Sequence, residues 1–124
     1  MSFGNQYDRQ SAADAFDPTA MLTRIGGNMP LFAELVQIFH EDYPQLIGEM
    51  RQAIAENDSA GLKQAAHTLR GAIGNFTTTE PYEMAKQLES MGQANHLEDA
   101  EKKLDALAEN IAQLATALKR SASC

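Results

Sequence analysis

Apolar residues return along this chain at intervals of three and four, the spacing that lines one face of a helix. Asp17-Pro18 predicts the first start, a capping aspartate followed by proline in the first turn. A short helix then carries Met21, Leu22 and Ile25 and stops at Gly26-Gly27. Asn28 can cap a second helix from about Met29 to Ala55, with the stripe Leu31, Leu35, Ile38, Phe39, Leu46, Met50 and Ala53. Pro44 lies inside that stripe and predicts a kink or a break, because it cannot bond the carbonyl of His40. Glu56-Asn57-Asp58-Ser59 is a turn with capping residues, and a third helix runs from about Ser59 to Asn75. Phe76 to Thr79 form the next connection, and Pro81 lies in the first turn of a helix ending at Gly92. Asn95 to Glu98 resembles a capping box opening the last helix. The stripe of that helix is Leu97, Ala100, Leu104, Leu107, Ile111, Leu114 and Leu118, a seam of alternating three- and four-residue steps. Lys119 and Arg120 close it at the negative end of the helix dipole.

These elements predict an all-α fold: an antiparallel up-down four-helix bundle with a short additional N-terminal helix. Residues 1–16 lack periodicity and are expected as a flexible tail or linker, with the bundle over 17–120 and a tail over 121–124. Composition agrees with the fold class: 20 alanines and 12 leucines stand against a single valine. At 124 residues the chain is one domain. A net charge of −7 argues against nucleic acid, whose binding needs a basic surface. Cys124 is the only cysteine, so neither an internal disulfide nor a cysteine-based metal site is available. No apolar run reaches membrane-spanning length, and the start has no signal-peptide core. A cytoplasmic protein without membrane contact is expected.

Three histidines are the candidates for chemistry. The residues three before His40, His67 and His96 are glutamines, so the Glu-x-x-His pairs of a di-iron bundle are missing and no metal site is expected. His40 and His96 read as solvated surface residues. His67 is different. Leu62, Ala65, Leu69, Ile73 and Phe76 point to one side of its helix, and His67 points about 160° away from their mean direction. Lys63, Gln64, Gly71 and Gly74 share that face, and Arg70 lies at its flank. Two glycines inside a helix cost about 1 kcal/mol each relative to alanine. Missing side chains at Gly71 and Gly74 would clear a path to the imidazole, and Lys63 and Arg70 could hold an anion such as a phosphoryl group. The plain alternative is a solvated helix face.

The segment Ala66-His67-Thr68-Leu69-Arg70-Gly71-Ala72 resembles the signature of histidine-containing phosphotransfer (HPt) domains, usually written A-H-x-L-K-G-S/A. Phe16-Asp17 with Leu22, Ile25, Gly26 and Gly27, Phe39 with Pro44-Gln45-Leu46, and Leu88-Glu89 with Gly92 are similar to the family's other helices. The resemblance covers about residues 16–118. It departs at Arg70, where the family usually has lysine, and at Asn75 to Thr78, which lack the family's frequent Gly-Ala.

The resemblance implies that His67 accepts a phosphoryl group and that such domains relay it between aspartates on receiver domains. Neutral imidazole is a nucleophile near pH 7 and can attack an aspartyl phosphate. With Nε2 turned outward, Nδ1 needs an acceptor. If the turn between the third and fourth helices centres near residue 77 or 78, His67 is level with about residue 88, so Glu89 can accept from Nδ1–H. Family members often place a polar residue there; an ordinary surface glutamate is the alternative. Lys63 and Arg70 would offset phosphate charge, Gln64 would donate a hydrogen bond, and Gly71 and Gly74 would admit the receiver's loops. The domain itself needs no cofactor, since Mg²⁺ is expected on the receiver. No nucleotide-binding loop is present, so autonomous phosphorylation from ATP is not expected. The expected partners are response-regulator receivers, including that of a hybrid sensor histidine kinase, with the domain itself a monomer. Two competing readings are a docking module of the same fold that is not phosphorylated, and a dimerisation bundle using the 97–118 seam.

Overall fold

The computed structural model describes residue 23 and residues 26–123. The helix expected over 17–25 and the leader over 1–16 lie outside the described residues, apart from helical Thr23. Four helices follow: α1 (Met29–Ala55), α2 (Ser59–Gly74), α3 (Glu80–Ala94) and α4 (Ala100–Ser123), with no strand among the described residues. Each packs on two others, α1 on α2 and α4, and α3 on α2 and α4. None of the described helices is long and apolar enough to cross a membrane.

Local signals set the boundaries. Asn28 Oδ1 accepts from the Leu31 N–H at 3.0 Å and Asp58 Oδ1 from the Gly61 N–H at 2.9 Å, so both capping residues hold the first turns of their helices. Asn57 takes the left-handed conformation at φ 59° between α1 and α2. α1 does not break at Pro44. That proline is exposed, and on the solvent side water can satisfy the carbonyl it strands. Asn95 departs from the sequence expectation. It ends α3 at φ 59°, with its N–H on the Gly92 carbonyl, and its side chain bonds Ser59 rather than opening the last helix. α4 starts at Ala100 and continues through Ser123, past Arg120.

The core is built from the stripes, with one rotation. Ala100, Leu104, Leu107, Ile111, Leu114 and Leu118 are fully buried within the chain, and Leu97 packs at their edge. Each large apolar side chain so buried contributes about 1.5–3 kcal/mol. This seam is consumed inside the bundle, which corrects the reading of it as a dimerisation surface. On α2, Leu62, Ala65, Ala66, Leu69 and Ile73 are buried. On α1 the buried residues are Phe32, Val36, Phe39, Met50 and Ala53, while Leu31 and Ile38 stay 37% and 46% exposed, against the stripe read from the sequence. Phe76 explains the rotation. It follows α2, and its ring meets Phe32 and Phe39 edge-on at 6.4 and 5.4 Å, drawing that side of α1 inward. His40 is half-buried with Nε2 2.8 Å from the Ala115 carbonyl, so it ties α1 to α4 rather than lying in solvent.

Helices α2 and α3 approach closely enough to exclude a side chain. A Cβ on Gly92 would lie 2.7 Å from the Lys63 nitrogen and 2.8 Å from the Ser59 carbonyl. That contact brings the two helices into the register on which the site depends.

Candidate functional site

Four residues on α2 and α3 form one connected polar cluster. His67 and Arg70 are three apart on α2, one helical turn, and so are neighbours. Tyr82 and Glu89 are seven apart on α3, two turns, and so share a face. The α2–α3 packing sets these two faces against each other.

His67 Nδ1 is 2.9 Å from Glu89 Oε2. Arg70 Nε donates to the other carboxylate oxygen, Oε1, at 2.7 Å. Arg70 Nη1 donates to the Tyr82 hydroxyl at 3.0 Å, and the guanidinium lies 5.7 Å from the centre of the Tyr82 ring. The third guanidinium nitrogen, Nη2, is 3.2 Å from His67 Nδ1. Exposure divides the cluster. The His67 side chain is 61% exposed, whereas Glu89 is 16% and Arg70 25% exposed. The ring is open to an incoming molecule while its supports are sheltered.

Electrostatics assigns the proton on the ring. Burial pushes the Glu89 carboxyl up, but hydrogen bonds from Arg70 and His67, reinforced by their charges, hold it below the usual carboxylate range. The hydrogen bond to Glu89, then that to Tyr82, raises Arg70 further above its ordinary value against a smaller effect of burial. Glu89 is therefore an ionised acceptor, and the 2.9 Å contact requires a proton on Nδ1. In the neutral ring Nε2 then carries the lone pair, and among the described residues it has no hydrogen-bond partner. The arrangement offers a solvent-facing nitrogen nucleophile backed by a carboxylate that can balance positive charge on the ring.

The other residues singled out on this face separate into two groups. Lys63 and Gln64 are exposed one turn before His67, and among the described residues neither side chain bonds the ring. Gly71 is exposed, and a Cβ there would meet nothing within 4 Å, so it leaves open space beside His67. Gly74 does not. A Cβ at Gly74 would lie 3.1 Å from Tyr82 Cε1, so the space is filled by that ring and is not a path for a partner. Arg70, expected to offset phosphate charge, is engaged by Glu89 and Tyr82. Sequence reasoning missed Tyr82; its signal was the seven-residue spacing to Glu89. Among the described residues no three His, Cys, Asp or Glu gather as a metal would need.

A family model described as the Hpt domain matches residues 34–117, more than half of the chain, and includes all four residues of the cluster. No curated protein and no solved structure matches the chain.

Proposed function

The chain belongs to the Hpt domain family, phosphocarrier modules that interact with receiver domains in two-component signalling, and from that membership we propose that it is a phosphorelay intermediate. In this reading it takes a phosphoryl group from a receiver aspartyl phosphate onto His67 Nε2 and passes it to an aspartate of another receiver. The observation that carries the proposal is the contact of Nδ1 with Glu89, which leaves Nε2 unprotonated whenever the exposed ring is neutral.

The chemistry balances without moving a proton. The Nε2 lone pair attacks phosphorus, the phosphorus–oxygen bond to aspartate breaks, and its electron pair leaves on the aspartate carboxylate. Nδ1 keeps its proton, so the phosphorylated ring is cationic and is stabilised by ionised Glu89. In the onward step a second carboxylate attacks phosphorus, and the nitrogen–phosphorus electron pair returns to Nε2. Lys63 offsets charge at the edge of the site, Gln64 is within one turn as a donor, and Gly71 admits the receiver's loops. Magnesium for the moving phosphoryl group would come with the receiver. The work of this chain is carriage, without kinase activity of its own, in the cytoplasm where the receivers reside.

An antiparallel up-down order belongs to the same proposal. Its support is the pairing of rising with falling numbers: Glu80 with Asn110 and Gln87 with Lys103 between α3 and α4, His40 with Ala115 and Arg51 with Asp105 between α1 and α4.

The test is transfer from a receiver charged by a small phosphodonor, read by intact mass. One added phosphate, acid-labile, alkali-stable and absent from His67→Gln, is the expected result. Absence of transfer from several receivers, with the helical signal intact, would overturn the relay and leave a docking module.

A further inference from the structure

Arg70 can act on His67 in two opposite ways. Its Nη2 lies 3.2 Å from Nδ1, within reach to donate to a lone pair there. Were it to do so, Nδ1 would be the acceptor and the proton of the neutral ring would sit on Nε2, leaving no lone pair for phosphorus. Glu89 demands the reverse, a proton on Nδ1. The two demands are exclusive, because one nitrogen cannot donate and accept at once. Both contacts are within reach in the observed pose, and that to the carboxylate is the shorter, 2.9 against 3.2 Å. It lasts only while Arg70 Nε holds Oε1 so that Oε2 faces Nδ1, which depends on where the guanidinium is held.

Tyr82 holds it. Its hydroxyl takes Nη1 at 3.0 Å, and its ring lies beneath the guanidinium at 5.7 Å. With Nη1 on Tyr82 and Nε on Glu89, the planar fork is fixed at two of its three nitrogens. The tyrosine is itself held. Its Cε1 and Cδ1 lie 3.1 and 3.6 Å from where a Gly74 Cβ would be, so the ring seats into the gap that glycine leaves. This accounts for a glycine in the last turn of α2 that does not face a partner. It also accounts for arginine at position 70, since a lysine ammonium has no rigid fork to span Glu89 and Tyr82 together.

We propose that Tyr82, seated against Gly74, is a positioning residue that anchors Arg70 on Glu89 and so keeps the His67 imidazole in the tautomer with Nε2 unprotonated. The proposal rests on His67 being the phosphoryl acceptor, but its primary readout does not require transfer.

The test is the tautomer of His67 by long-range proton–nitrogen correlation in ¹⁵N-labelled protein, at a pH where the ring is neutral. Tyr82→Phe keeps the ring and its packing and removes only the hydroxyl. The expected result is a larger Nε2–H fraction and a transfer rate lower by about fivefold, the equivalent of one net side-chain hydrogen bond. An Arg70→Gln background should abolish this effect, because Tyr82 acts through Arg70. An unchanged tautomer ratio in Tyr82→Phe would overturn the proposal, and so would an effect that persists in the Arg70→Gln background. If wild-type protein accepted no phosphate, the relay reading would fall, while the tautomer ratio would still decide the role of Tyr82.

Discussion

Replacing Glu89 by glutamine changes one oxygen to an NH₂ group and inverts the logic of the site. Arg70 donates through Nε at 2.7 Å and has no acceptor to offer, so the glutamine oxygen must face it. The amide nitrogen then faces His67 Nδ1, where the carboxylate stands at 2.9 Å. An amide NH₂ donates, so Nδ1 must accept and the proton moves to Nε2. Hydrogen bonds to charged groups are worth about 1.5–3 kcal/mol net, and Glu89 is sheltered enough for that range to apply. Losing that bias lowers the fraction of reactive tautomer, and with it the transfer rate, by roughly 10- to 100-fold. Glu89→Ala adds no donor of its own at Nδ1 and releases Arg70 from the carboxylate that sets it beside the ring, so it should cost less than Glu89→Gln, although it removes more atoms. The assay is single-turnover transfer from a phosphorylated receiver, at saturating protein, for wild type and both variants. A glutamine variant that transfers at the wild-type rate, or faster than the alanine variant, would refute the reasoning.

Acid should loosen the same cluster. The Glu89 pKa is lowered in the fold, so its contribution to stability is present above the unfolded carboxyl value and is lost as pH falls through the folded one. Thermal melts should therefore show a smaller acid-induced drop for Glu89→Gln than for wild type. Gly71→Ala should raise stability by up to about 1 kcal/mol, since the new methyl meets nothing, yet slow transfer from a bulky receiver. Melting temperature and transfer rate moving in opposite directions is the signature to look for. Gly92→Ala should lower stability by about 1–3 kcal/mol in chemical denaturation, because backbone atoms of Lys63 and Ser59 stand where the methyl must go and the helices have to part.

Much of the molecule was legible in one dimension. Helix existence follows from periodicity, so the seam from Ala100 to Leu118 and the stripe from Leu62 to Ile73 could be read directly and are buried. The caps Asn28 and Asp58 were legible because capping is a contact across three residues. His67 was legible as the one histidine on a polar face lined by cations and glycines, and its surrounding motif carried the family. What tertiary structure decided lies between elements. Leu31 and Ile38 fit a helical stripe as well as Phe32 and Val36 do, and the face that goes inward is the one whose Phe32 and Phe39 meet the ring of Phe76, from a distant turn. Asn95 can open a helix or close one, and its bond with Ser59 belongs to closing. Gly71 and Gly74 look alike in sequence; one faces open space and the other receives Tyr82. The charge state and tautomer at the site likewise come from contacts 12 to 22 residues apart along the chain, between Arg70 and Tyr82 and between His67 and Glu89. Periodicity and capping are short-range and so are written in the sequence. The pairing of one helix face with another depends on shapes that exist only once the bundle has closed.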